Sequence, residues 1–278
     1  MHRIAVLSDI HGNLHALEAT LKDLHKVAPD QVIVDGDIVG RGPQSPEALE
    51  RVTSLGWTVV QGNHEAFWAM CAGGKAPDDW QDGWWAPTRL AIERLDPVWF
   101  PWMGALPQQH IVEVPGAPPI QIVHGSPNRL NQGLYAHDTD NKLDDILAST
   151  PYHAVIGAHT HVPMIRHTPH HWAMNCGSVG APFNRDPAAQ YLLLSWDGHQ
   201  WDARLRRVEY DRDALLGYWH TSGYWDSGVA AQVFAYEIET ASFHFWHYLR
   251  YCKSYALALN EPSSFVRYRQ DFPANFVV

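Results

Sequence analysis

The sequence is short of three things: cysteine, basic charge and long apolar runs. Its three cysteines, Cys71, Cys176 and Cys252, are odd in number, widely spaced and form no C-x-x-C. That argues against a disulfide framework and for reduced thiols in a cytoplasmic protein. Lys and Arg number 20 against 30 Asp and Glu, for a net charge of -10. Broad nucleic-acid binding needs a basic footprint, so nucleic acid is disfavoured as a partner. No stretch approaches the roughly 20 apolar residues of a membrane span. The first apolar run, Ile4 to Leu7, is cut by Ser8 and Asp9, too early for a signal-peptide core. The expectation is a soluble cytoplasmic protein with no membrane partner.

What is present is core-forming material: 46% hydrophobic and 12% aromatic residues. The N-terminal third alternates strand and helix. Arg3–Leu7 reads as a buried strand, and Asn13–Lys26 carries Leu14, Leu17, Leu21 and Leu24 at helical spacing. Gln31–Val34 is a second strand, Pro46–Leu55 a helix with Ser45 as its N-cap, and Trp57–Val60 a third strand. This order implies a parallel sheet with right-handed crossovers. Residues 66–107 are rich in Trp, Gly and Pro, with a helical piece at Thr88–Leu95. Strands resume at His110–Val114 and Ile120–Val123, followed by a helix at Asn141–Leu147. Further strands are expected at Ala154–Ile156, Met164–His167 and Trp172–Asn175, then a hairpin of Tyr191–Trp196 and Trp201–Val208 across Asp197-Gly198. From Tyr210 the pattern is helical.

Five short polar segments fall at or just after these strand ends: Asp9-Ile-His11, Gly36-Asp37, Gly62-Asn-His-Glu65, His124-Gly-Ser126 and His159-Thr-His161. In open α/β sheets, ligands gather beyond the carboxyl ends of the strands, so these segments can converge. Carboxylate, imidazole and carboxamide suit Mn, Fe, Zn, Ni or Co, and the absence of cysteine disfavours a structural zinc knot. A single Asp can bridge two metals with its two oxygens. If D-x-H and H-x-H are extended, Asp9 and His11, or His159 and His161, face the same way, with Ile10 and Thr160 turned aside. Each residue alone has an ordinary structural explanation, but their ordered recurrence at strand ends does not.

In that order and combination the motifs resemble the calcineurin-like metallophosphoesterase superfamily. Leu7-Ser-Asp-Ile-His-Gly-Asn13 and Asn175–Pro182 are similar to its bacterial and archaeal phosphoesterase branch. The resemblance spans residues 1–208 and implies a four-layer α/β/β/α sandwich of two mixed sheets. It implies one metal held by Asp9, His11 and His161, another by Asn63, His124 and His159, and Asp37 between them. Manganese is the first expectation for the pair. His64 would serve as proton donor to the leaving oxygen, and Arg41 would grip a phosphate oxygen. The reaction implied is hydrolysis of a phosphoester by a metal-activated hydroxide.

Three departures stand out. Ala158 replaces the glycine usual before H-x-H, and Cys176 stands where relatives often have proline. Gly40 occupies the position at which the protein Ser/Thr phosphatase branch carries an Asp that orients the catalytic His. That weakens a protein-phosphatase reading relative to a small phosphomonoester, phosphodiester or nucleotide substrate, with dinucleoside polyphosphates a further option. A metal-free interaction scaffold on the same fold is the alternative from another class. Residues 66–107, with Trp68, Trp80, Trp84, Trp85, Trp99 and Trp102, read as a cap insert beside the site. Residues 209–278 read as an aromatic-rich helical extension that closes over the core, caps the site or forms a homodimer face.

Overall fold

The structure, a computed structural model, describes residues 1–272. Two five-stranded mixed sheets stack face to face. The first comprises β1 (His2–Leu7), β2 (Gln31–Asp35), β3 (Thr58–Val60), β9 (Ala189–Trp196) and β10 (Trp201–Val208), in the order β10-β9-β1-β2-β3. Strands β1, β2 and β3 are parallel, and the β9–β10 hairpin adds antiparallel to β1. The second sheet is built from β4 (His110–Val112), β5 (Ile120–Ile122), β6 (Ala154–Gly157), β7 (Met164–His167) and β8 (Trp172–Asn175), in the order β4-β5-β6-β8-β7. There β5, β6 and β8 run parallel between antiparallel edge strands.

Side-chain alternation along β1 explains the layering. Ile4 and Val6 face the second sheet and pack with Ile122, Ile156 and Met174. Ala5 and Leu7 face the other way, onto α1 (Leu14–Val27), α2 (Ser45–Ser54) and the C-terminal helices. The outer face of the second sheet is covered by α6 (Asp140–Leu147) through Leu143 and Leu147. A strand buried on both faces reads as an unbroken apolar run, as Ile4–Leu7 does. The result is the α/β/β/α sandwich that the sequence implied.

Several boundaries differ from the sequence reading. Gln44, not Ser45, occupies the N-cap of α2; the Ser45 hydroxyl instead accepts the Gly40 N–H at 3.1 Å. Residues 63–72 form a helix, α3 (Asn63–Ala72), that the sequence reading left unassigned. Residues 66–107 also contain α4 (Ala86–Glu93) and α5 (Trp99–Gly104). After β10 come α7 (Arg212–Thr221), α8 (Val229–Thr240), α9 (Phe245–Ser254) and α10 (Pro262–Asp271). Phe234, Tyr236, Tyr248 and Tyr251 of that segment are buried in the same apolar cluster as Leu7 and Leu17, whereas Trp246 is 55% exposed. Among the described residues, no helix is long and apolar enough to cross a membrane.

Candidate active site

All five polar segments lie just beyond the carboxyl ends of parallel strands. Asp9 and His11 follow β1, Asp37 follows β2, Asn63 and His64 open α3 after β3, His124 follows β5, and His159 and His161 follow β6. The two sheets deliver them to one edge of the sandwich. The local geometry is not the extended one expected. Asp9 (φ 52°), His11 (49°), Asp37 (52°), His159 (65°) and His161 (58°) are all left-handed. For residues with a Cβ that conformation costs about 1–2 kcal/mol each, so the surroundings must impose it. They do so by backbone stitching. Asp9 N donates to Gly36 O at 3.1 Å, His11 N to Asp37 O at 2.9 Å, and Gly180 N to Asp9 O at 2.9 Å. The Ser178 hydroxyl donates to Asp9 O at 2.8 Å, and Asn175 Nδ2 to Ala158 O at 2.7 Å.

The donor atoms converge. One oxygen or nitrogen from each of Asp9, His11 and His161 lies within 4.8 Å of the others, and the same holds for Asp9, Asp37 and His124. His11, Asp37 and His64 form a third such group. Asp37 Oδ2 is 3.7 Å from His11 Nε2, 3.4 Å from His124 Nε2 and 4.0 Å from His64 Nε2. Asn63 Oδ1 lies 3.1 Å from His124 Nε2 and 2.8 Å from His159 Nδ1. The seven expected ligand residues therefore share one site, with Asp37 centrally placed among them.

Two features show that this donor set suits cations. His11 Nδ1 faces Val39 O at 3.1 Å and His161 Nδ1 faces Ala181 O at 2.5 Å. A carbonyl oxygen only accepts, so both rings carry their proton on Nδ1 and present lone pairs at Nε2. Those two Nε2 atoms are 3.1 Å apart. In addition, Asp9 Oδ1 is buried with no hydrogen-bond partner. Two facing lone pairs beside an unpartnered carboxylate oxygen are stable only around positive charge. Burial pushes His124 down, but the carboxylates of Asp37, Asp9 and Asp35 together outweigh that and carry it well above its usual value. Burial takes His64 down to about 3 and His159 to about 4, against the opposing pull of Asp37.

Glu65, which the sequence reading quoted in its motif but gave no role, organises this centre. Its buried carboxylate accepts the N–H groups of Asp37 (2.8 Å), Ile38 (2.8 Å) and Gly62 (3.0 Å). The signal was available, since an acidic residue at the third position of a helix is a capping residue. Gly40 also has a structural reason. At φ +91°, a Cβ there would fall 2.0 Å from His64 Nδ1. The imidazole occupies the space a carboxylate side chain would need. Cys176 is buried, and its N–H donates to Gly157 O at 3.1 Å, a bond that proline could not make.

Arg41 is less free than expected. Its guanidinium pairs through Nη1 with Glu237 of α8, and its Cζ lies 5.2, 5.3 and 5.6 Å from the ring centres of Phe183, Phe234 and Phe243. Of the six tryptophans in residues 66–107, Trp68, Trp84 and Trp85 line the cleft beside the site, together with Arg41 and His64. Trp80 packs behind Trp85, and Trp99 pairs with Trp102.

Comparison with known proteins agrees with this arrangement. An uncharacterized protein of Methanocaldococcus jannaschii is 24% identical over 229 residues, 75% of this chain and 88% of its own. A symmetrical bis(5'-nucleosyl)-tetraphosphatase of Psychromonas ingrahamii is 43% identical over 63 residues, 22% of this chain and 23% of that one. The crystal structure of a metallophosphoesterase from Sphaerobacter thermophilus superposes with a TM-score of 0.68 at 26% identity, covering 84% of this chain and 98% of that one. A hypothetical protein of Pyrococcus horikoshii superposes with a TM-score of 0.72 at 21% identity over the same shares. The family model for calcineurin-like phosphoesterases matches residues 2–163, more than half of the 278 and a span that holds every donor described above. The chain belongs to the calcineurin-like phosphoesterase family and is a metal-dependent phosphoesterase.

Proposed function

We propose that this chain hydrolyses small phosphoesters, monoesters, diesters or nucleotides, at a pair of metal ions. The observation that carries the reading is the convergence of buried carboxylate and imidazole donors on one sheet edge. Asp9, His11 and His161 would hold one ion, Asn63, His124 and His159 the other, with Asp37 shared between them and manganese the first metal to try. Such ions supply Lewis-acid charge for the phosphoryl oxygens and for the attacking water. The chain's own residues do the rest. Glu65 fixes the Asp37 loop through its backbone N–H groups. Asp37 Oδ1 accepts the His64 N–H at 2.8 Å and so fixes the first turn of α3. His64, whose side chain is 23% exposed and lines the cleft, would present its ring to the leaving group. Arg41 offers its remaining N–H donors to a phosphate oxygen, held in place by Glu237 and three aromatic rings. The insert at 66–107 and the segment from residue 209 act together as the walls of the site.

Dinucleoside polyphosphate hydrolysis is the second reading, favoured by the local match to the tetraphosphatase. The test is a panel of p-nitrophenyl phosphate, bis-p-nitrophenyl phosphate, nucleoside monophosphates and a dinucleoside tetraphosphate. The metal-free chain is assayed alone and with Mn²⁺, Fe²⁺, Zn²⁺, Ni²⁺ or Co²⁺, alongside metal content. Two bound equivalents and metal-dependent turnover are expected, with Asp37→Asn losing both. Turnover indifferent to metal, or no metal uptake, overturns the reading.

A further inference from the structure

Beside the donor cluster opens a cavity of about 650 Å³. Sites that enclose small organic ligands run from roughly 300 to 1,000 Å³, so this space exceeds the need of a phosphate group. Asn63, His64 and His159 form its polar end. Phe67, Trp84 and Trp85 of the insert make one wall, and Phe234, Phe243 and Phe245 of the C-terminal segment make the other. The walls meet at the back, where the Trp84 ring centre lies 5.2 Å from that of Phe245 and 5.8 Å from that of Tyr248. Phe67 and Trp85 brace each other at 5.4 Å. The second wall lies outside residues 2–163, the span matched by the family model.

The chemistry of the lining narrows the occupant. Among the described residues no carboxylate lines the cavity, and its one permanently charged side chain is Arg41. An anionic group is welcome at the metal end, and an uncharged body is required elsewhere. The apolar surface is aromatic rather than aliphatic, which suits a flat π-system stacked between rings. Polar groups of Thr88, Asn131, Tyr135 and His247 also line it. A plain alkyl chain would strip these of water and leave them unpaired, whereas heteroatoms on a planar ring can meet them.

We propose that this cavity is a leaving-group subsite that selects phosphoesters carrying a flat aromatic body, an aryl group or a nucleobase, over those of alkyl alcohols or simple sugars. The proposal rests on the phosphoesterase reading and names the substrate class of that site. Aromatic stacking in such a slot corresponds to roughly 5- to 160-fold in affinity, the span that about 1–3 kcal/mol per stacked ring gives.

The experiment uses the full chain loaded with Mn²⁺. Methylphosphonate, phenylphosphonate, ribose 5-phosphate and adenosine 5'-monophosphate are titrated, with tryptophan fluorescence and inhibition of bis-p-nitrophenyl phosphate hydrolysis as readouts. Phenylphosphonate should bind at least 5-fold tighter than methylphosphonate, or the adenosine phosphate at least 5-fold tighter than the ribose phosphate. The first gain alone identifies an aryl substrate, the second alone a nucleotide, and either supports the subsite. Trp85→Ala and Phe243→Ala should each shrink the affinity ratio toward one. Equal affinities within both pairs in the unaltered chain overturn the proposal, as does a ratio that survives both substitutions. Loss of the phosphoesterase reading looks different, since then none of the four probes binds and bis-p-nitrophenyl phosphate is not turned over.

Discussion

Replacing Glu237 tests whether the C-terminal helices are structurally coupled to the catalytic edge. The Glu237 side chain is 1% exposed and its partner Arg41 13%. Their contact joins a loop after β2 to a helix 196 residues away. Breaking a buried pair by removing one partner costs about 3–5 kcal/mol, because the other charge stays desolvated. Here the orphan would be Arg41, still ringed by Phe183, Phe234 and Phe243. Cation–π attraction of about 0.5–1 kcal/mol per ring offsets part of that loss, so Glu237→Gln should sit near the low end, about 3 kcal/mol. Glu237→Ala should be worse. Glu237 Oε1 also accepts the N–H groups of His244 (2.9 Å) and Phe245 (2.8 Å) at the start of α9. Leaving buried donors unpaired adds about 1–3 kcal/mol. For a chain of 278 residues, an unfolding entropy of about 2.1 cal/mol/K per residue turns about 3 kcal/mol into a fall in Tm of roughly 5 °C. Near-UV circular dichroism of the tryptophans during heating and urea titration reads it directly. The double variant Arg41→Met/Glu237→Met should be more stable than the sum of its single variants predicts. A Glu237→Gln melting temperature within about 2 °C of the parent, together with strict additivity in the double variant, refutes the coupling.

Three other outcomes are expected. His64→Ala should lower turnover by roughly 10²–10⁴-fold on poor leaving groups and much less on p-nitrophenyl esters, which hardly need protonation; an equal loss on both removes the acid role. Gly40→Ala should depress activity almost as far as His64→Ala and add little in the His64→Ala background, because the new Cβ would fall 2.0 Å from His64 Nδ1; near-normal turnover of Gly40→Ala shows that the ring is not held where the structure has it. The Asp23 carboxyl is held below its usual value by Arg206, despite some burial, with further help from Tyr191. A depressed folded pKa stabilises above the unfolded value of about 3.9 and loses that contribution as pH falls through the folded one. Asp23→Asn should therefore cost about 1 kcal/mol or less at pH 7, and the gap to the parent should narrow below about pH 4 in urea midpoints; a gap that widens toward acid contradicts the pairing.

How far the sequence spoke depended on where each feature's information lies. The β-α-β-α-β start was legible because its apolar residues recur at strand and helix spacings within single elements, as in Ile4–Leu7 and Leu14–Leu24. The donor residues were legible because each sits in a short motif at a strand end. Their backbone was not: nothing in Asp-Ile-His announces left-handed φ, which the Gly36, Asp37, Ser178 and Gly180 contacts from distant loops impose. Helix α3 escaped because Asn63–Ala72 begins inside a motif and carries apolar side chains around most of its circumference, leaving no clear stripe. Helix α5, Trp-Phe-Pro-Trp-Met-Gly, hides behind a proline. Glu237 was invisible for a different reason. It lies among the apolar residues of a largely apolar helix, and only the fold reveals that its partner is Arg41. The same holds for the cavity, whose walls come from two segments with no spacing relation to each other or to the donors. A reaction needs particular atoms at particular places, and short motifs can encode them. A shaped apolar surface needs only the right faces brought together, and many sequences can do that, so the substrate must be read from the packing of this chain.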